Sequence, residues 1–311
     1  MFAVVMLAGI YGLVSASFFV VMDAVDVAFT EASVGAGIST LLMLTTVAMT
    51  ERTEREARHK PLLALIVVSI TGVFLLYGTF DMPYFGSVDA PSHNHVGPRY
   101  TNNSMNEIGI PNMVTSVLAS YRGFDTFGEV TVIFTAGIGV LALLGVVRRP
   151  EDHSVIEAVN DSMHEQHLIL RIIIKILIPF ILLYAFYVQF HGDFGPGGGF
   201  QAGVIFAAGI ILYSMLFGLN VALRVIKQPA VQLLSAVGVL IYGSVGVVSI
   251  LNGGSFLEYS VLSADPISGQ HLGILLIEFG VGLTVASVMI IIYFSFSGRR
   301  GYQQPKEGTS L

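Results

Sequence analysis

RGFDTFGEVTVIFTAGIGVLALLGVVRR (122–149) decides how this chain folds. Its basic ends, Arg122 and Arg148–Arg149, enclose a largely apolar stretch whose only charges are Asp125 and Glu129 near the start. A helix of ~20 residues rises ~1.5 Å per residue and so matches the ~30 Å hydrocarbon core of a bilayer. Outward from this stretch the same pattern recurs. Apolar runs occupy 2–22, 27–50, 62–80, 127–147, 168–190, 200–220, 230–251 and 271–296. The mean hydropathy is +0.76 and only 12% of residues are charged. The chain therefore reads as an all-α integral membrane protein with about eight transmembrane helices. Helices are required because backbone groups facing lipid must find their hydrogen bonds internally.

Orientation follows from the basic residues near span ends. Arg52, Arg55, Arg58 and Lys60 lie in one loop. Arg148, Arg149, Arg171 and Lys175 lie around the next junction, then Arg224 and Lys227, then Arg299, Arg300 and Lys306. With eight spans these 13 of 15 basic residues share one face, leaving Arg99 and Arg122 on the other. Both termini are then cytoplasmic. The N-terminus lacks a basic n-region, so the first span is expected to be retained rather than cleaved.

The polar stretch RRPEDHSVIEAVNDSMHEQH (148–167) divides two four-helix halves. The expected organisation is a membrane module at 1–150, a cytoplasmic linker at 151–167, a second module at 168–298 and a tail at 299–311. The largest outer loop runs from 81 to 110, and residues 112–121 are amphipathic, as if lying at the outer interface. The 34 glycines imply close helix packing, within the chain and against partner subunits. With no cysteine there is no disulfide, thiolate metal site or iron–sulfur cluster. No basic patch points to nucleic acid. His164 and His167 lack the HExxH spacing, His93 and His95 sit in a polar loop, and no Ser/His/Asp set suggests a hydrolase.

Chemistry is left to the few ionisable residues within or beside the spans. Glu31, in DVAFTEASVGAG, lies about one turn inside the second span among small residues. An ionised, unpaired carboxylate there costs a few kcal/mol or more, so it must be protonated, paired or hydrated. Asp23 and Asp26, at the outer end of that span, read as helix N-terminal caps. Asp125 and Glu129 are i, i+4 and share a helix face. Two such acids cannot both ionise cheaply in low dielectric, which suits a shared proton or exchange with Na⁺. Arg122 could instead neutralise Asp125 in a structural cluster. Glu278 stands alone among Ile, Leu, Phe and Gly in the last span and is a candidate for proton or cation transfer. Lys175 can snorkel to the inner interface. His191 and Asp193 stand at the outer junction HGDFGPGGGFQAG, as pathway or boundary residues. There Pro196 suits a first helical turn, and Gly197, Gly198 and Gly199 allow close backbone approach.

These motifs carry a family resemblance. DVAFTEASVGAGIST and NMVTSVLASYRGFDTFGEVTV resemble the C-terminal membrane extension of the A subunit of Mrp-type multisubunit Na⁺/H⁺ antiporters. The equivalent pieces occur as separate small subunits in membrane-bound hydrogenases. HGDFGPGGGFQAGVIFAAG and EFGVGLTVA resemble the B subunit. The resemblance implies a prokaryotic plasma-membrane protein that assembles with A-, C-, D-, E-, F- and G-type subunits, with no cofactor beyond the transported Na⁺ and H⁺. It implies that Glu31, Asp125 and Glu129 belong to the cation path, with Arg122 as the motif's basic position. It implies that Gly197, Gly198 and Gly199 serve packing. The antiporter core of the A subunit is absent, so a partner chain must supply it. Three readings stay open: an ion-path subunit of an antiporter, a membrane subunit of a hydrogenase or complex I-related oxidoreductase, and an assembly scaffold.

Overall fold

The computed structural model describes residues 1–50, 61–84, 86–145 and 168–300. Arg52, Arg55, Arg58, Lys60, Arg148, Arg149, the linker 151–167 with His164 and His167, and the tail from 301 with Lys306 lie outside the described residues. Among the described residues all regular structure is helical. Eight helices among the described residues are long and apolar enough to cross a membrane: α1 (Phe2–Val21), α2 (Val25–Val47), α3 (Leu62–Thr79), α4 (Gly123–Leu144), α5 (Arg171–His191), α6 (Gly199–Phe217), α7 (Gln228–Leu251) and α8 (Pro266–Gly298).

The helix starts depart from the apolar runs for local reasons. α4 begins at Gly123, four residues before the apolar run, so Asp125 falls in its first turn. Tyr242 Oη donates to the Gly123 carbonyl at 2.7 Å and Tyr259 Oη to the Ala119 carbonyl at 2.9 Å, which fixes this end. α8 begins at Pro266, five residues early. Pro is favoured at a first helical position, and Asp265 accepts from Ser268 N at 2.9 Å and Ser268 Oγ at 2.6 Å, capping the helix. Those bonds hold the Asp265 carboxyl below the usual carboxylate range. α6 starts at Gly199, so Pro196 lies in the preceding turn and not in the helix. α2 passes through a π-helical stretch, Ala32–Ile38, just after Glu31.

The chain divides into two compact units, residues 1–49 with 105–311 and residues 50–104. The smaller contains α3, whose apolar side chains are exposed along its length, and a π-helical turn at Ser92–Val96. The core of the larger unit is built on α8, where Ile274, Ile277, Val285, Val288, Ile291 and Phe294 are buried. Glycines bring its neighbours close. A β-carbon at Gly203 of α6 would stand 2.7 Å from the Gly282 carbonyl oxygen and 2.9 Å from Val285 Cβ. Lipid offers helices no hydrophobic drive to associate, so such backbone contact supplies the van der Waals attraction instead.

Residues 112–121 form a short α-helix, Met113–Thr115, and a π-helical turn, Ser116–Tyr121, whose polar side faces the protein. Their polar side chains Asn112, Thr115 and Ser116 are buried, while Met113 and Leu118 are exposed. The polar face turns inward because it has hydrogen-bond acceptors to meet there.

Gly203→Val is expected to destabilise the purified protein by about 1–3 kcal/mol through overpacking. Gly139→Val, which meets nothing within 4 Å, should be near neutral. Thermal unfolding of both variants in one detergent checks the contrast.

Candidate functional site

Three carboxylates from three helices converge on one cavity of about 620 Å³: Asp26 of α2, Glu129 of α4 and Glu278 of α8. Thr30, Thr115 and Gln201 add polar walls, and Val130, Ile133 and Val281 apolar ones.

The turn 192–198, whose Gly197 lines the cavity, is organised by Asn112. Its backbone N–H donates to the Asp193 carbonyl at 3.0 Å. Its Nδ2 faces the Gly192 and Gly195 carbonyls at 3.0 Å each, and Asp26 Oδ1 and Oδ2 at 3.2 and 3.4 Å. Its Oδ1 accepts from Val114 N at 3.0 Å, capping the next short helix. Thr115 Oγ1 also donates to the Gly192 carbonyl, at 2.7 Å. Gly197 N donates to Asp26 Oδ1 at 3.4 Å. Gln201 Nε2 donates to Thr30 Oγ1 at 2.7 Å, and Thr30 Oγ1 in turn to the Asp26 carbonyl at 3.0 Å. Asp26 is thus bound into the polar wall.

Glu278 is not. Among the described residues it makes no hydrogen bond, and its carboxylate lies over Gly192 and Gly198. A β-carbon at Gly198 would stand 3.1 Å from Glu278 Oε1, and one at Gly192 3.2 Å from Oε2. Gly198 also takes φ +112°, open to glycine without strain. The glycine run therefore makes room for an acid as well as for helix contact.

Asp125 stands apart from this cavity. Arg122 Nε donates to Asp125 Oδ2 at 2.6 Å on a surface where both side chains are about half exposed. Asp125 and Glu129 thus face different partners despite their shared helix face. Glu31 packs between α1 and α2, its Oε1 3.2 Å from where a β-carbon at Gly12 would lie and 2.5 Å from one at Gly35. Gly12 and Gly35 form the slot that admits it. His191 stacks on Tyr187 with ring centroids 4.9 Å apart. Lys175 Nζ sits 5.7 Å from the Phe217 ring centre. Asp193 Oδ2 lies 3.8 Å from His271 Nδ1. Burial raises the Asp193 carboxyl above its usual range, against the opposing pull of His271. No three His, Asp or Glu side chains among the described residues are grouped to hold a metal ion.

Asp26, Thr30, Asn112 and Gln201 are the site residues that sequence reading missed as functional. Asp26 and Thr30 are i, i+4 on one face and Gln201 follows the glycine run, so a signal was present. It was masked by the plain capping role available to Asp26.

Comparisons with known proteins divide the chain into three stretches. Residues 1–52 match MbhD and residues 63–162 match MbhE, two families of MBH subunits. Residues 169–291 match the domain related to MnhB subunit of Na⁺/H⁺ antiporter. The antiporter subunit mnhB2 of Staphylococcus aureus (strain Newman) is 32% identical over 141 residues, 44% of this chain and 99% of that protein. A chain of the Mrp complex from Dietzia sp. DQ12-45-1b superposes with TM-score 0.71 at 25% identity, covering 97% of this chain. This chain spans 33% of that one's length. A chain of the membrane-bound sulfane sulfur reductase, an archaeal respiratory membrane complex, superposes with TM-score 0.54 at 27% identity, covering 76% of this chain and 98% of that one. Asp26, Glu129 and Glu278 come one from each matched stretch.

The raised Asp193 carboxyl has a defined consequence. The folded state holds this proton more tightly than the unfolded state, so its contribution to stability falls as pH rises from the ordinary Asp value of ~3.9 through the folded one. Asp193→Asn should remove that decline, and His271→Ala should steepen it. Melting temperatures of the three proteins measured across that pH range check the sign.

Proposed function

This chain belongs to the family of MnhB-related subunits of Na⁺/H⁺ antiporters, and from that premise we propose that it forms part of the ion path of a multisubunit cation/proton antiporter. It is a multi-pass protein of the bacterial plasma membrane. Its partners are the other membrane subunits, of A, C, D, E, F and G type. On this reading the chain works together with those subunits, and the exchange cycle belongs to the whole complex. Both termini face the cytoplasm on this reading, by the bias of the basic residues.

The observation that carries the proposal is the meeting of Asp26, Glu129 and Glu278 on one cavity. Three acids around a small space of low dielectric cannot all ionise cheaply. Glu278, whose carboxylate has no hydrogen-bond donor among the described residues, is the group we assign to carry the exchanged proton. Arrival of Na⁺ at Glu129, the exposed member, displaces that proton. Asp26 is tied to Asn112 and Gly197 and positions the turn. Asp125, paired with Arg122, guards the approach to Glu129. Glu31 extends the path along α2. The chain moves ions and needs no cofactor to do so.

Similarity to the sulfane sulfur reductase chain favours a second reading, a membrane subunit beneath a redox arm. Copurification of a hydrophilic iron–sulfur arm would select it.

Na⁺-dependent exchange in inverted vesicles holding the whole native complex tests the first reading, with assembly followed on native gels. Glu129→Gln and Glu278→Gln should lower exchange to below about a tenth of wild type in an assembled complex, a modest loss for a positioned proton-transfer group. Asp125→Asn should be milder. Wild-type exchange in Glu278→Gln would overturn the assignment.

A further inference from the structure

Behind the acid cavity, on the other side of the α6–α8 contact, a second and smaller cavity of about 240 Å³ opens between α5, α6 and α8. Its floor is made of small residues, among them Ala202, Gly203 and Gly282. Phe186, Phe190 and Phe279 stand at its rim, 51%, 61% and 48% exposed. One polar side chain lines it. Gln189 is 92% buried by its 8% exposure, and its Nε2 has no hydrogen-bond partner. Its Oε1 lies against the Gly282 α-carbon, where a β-carbon would collide with it. A half-turn of the amide exchanges the two atoms, so the groove can be offered the donor.

An orphaned buried amide hydrogen is costly and calls for an acceptor. Three occupants can be weighed. A lone water needs two to four polar partners, and this wall provides one side chain. A partner helix is ~10 Å across, wider than a short groove of about 240 Å³ that follows α8 from Phe279 to Ala286, ~10 Å at ~1.5 Å per residue. A single alkyl chain is the slimmer occupant. Gln189 lies two residues from the end of its span at His191, the depth at which a bilayer passes from hydrocarbon to its polar interface. The ester carbonyls of phospholipids lie at that depth.

We propose that this groove is a phospholipid site, in which one acyl chain lies along Gly203 and Gly282 and its ester carbonyl accepts a hydrogen bond from the Gln189 amide. The occupant braces the face of Gly282 turned away from the acid cavity, so bilayer lipid becomes part of the wall that holds Glu278 in place. The inference rests on this groove alone and does not depend on which ions the chain carries.

The test uses the full chain in vesicles of phosphatidylethanolamine and phosphatidylglycerol, the latter carrying a diazirine on one acyl chain. After illumination, label is mapped by mass spectrometry. It should concentrate on the peptides around 185–190 and 202–206 over the lipid-facing residues Ile172, Ile176 and Phe180. Gln189→Leu should lower groove labelling about fivefold, the worth of one hydrogen bond. An ether-linked analogue, which lacks the carbonyl, should lower it equally in wild type. Ala286→Leu fills the far wall with Gln189 intact and should abolish it, which keeps the test decisive where Gln189→Leu fails to fold. Even labelling of all lipid-facing helices, labelling indifferent to Ala286→Leu and to the ether linkage, or loss of label on assembly with partner subunits would each overturn the proposal.

Discussion

The close approach of α6 to α8 is the constraint on which the rest depends. At Gly199 a β-carbon would stand 2.9 Å from the Gly282 backbone nitrogen, and Gly203 repeats the contact one turn on. In lipid, two helices gain little from hiding apolar side chains, so they come together where backbones can touch. That contact places the Glu278 carboxylate against the glycine turn. It also separates the acid cavity on one side from the Gln189 groove on the other. A single seam without side chains therefore sets the position of both sites.

The acids around the cavity are not equivalent, and their differences are local. Asp26 is satisfied by Asn112 and the Gly197 N–H, so it behaves as part of the scaffold. Asp125 has its own arginine. Glu129 is exposed to the space, and Glu278 faces it without a donor. A carboxylate left without hydrogen bonds inside a membrane protein is expensive when charged. The same expense makes it responsive to an arriving cation, because a nearby positive charge changes its ionisation more than it would in water.

The three matched stretches supply one carboxylate each, so the cavity exists only when the modules are packed together. Joining them in one chain keeps the modules at high effective concentration and so favours the contacts between them. Asn112 shows how tightly the modules interlock. It belongs to the middle stretch, yet it holds the turn at 192–195 of the third and the carboxylate of Asp26 in the first.

The sequence by itself determined the membrane class, the eight spans and the short roster of intramembrane acids. Each of these follows from hydropathy over about twenty residues, the length needed to cross the hydrocarbon core. It also marked the glycine run and Glu278 as unusual, since a lone acid in an apolar helix stands out in one dimension. Which acids meet was decided only in three dimensions. Asp125 and Glu129 look like a pair by spacing, but Arg122 claims one and the cavity the other. Asp26 looked like a cap because a helix N-terminus gives any acid a reason to be there; its partners lie 86 and 171 residues away. The stretch 112–121 read as amphipathic, but periodicity reports that a face is polar and not what it meets. Spacing along a helix tells which side chains share a side, and only the packing of one helix on another decides what that side touches.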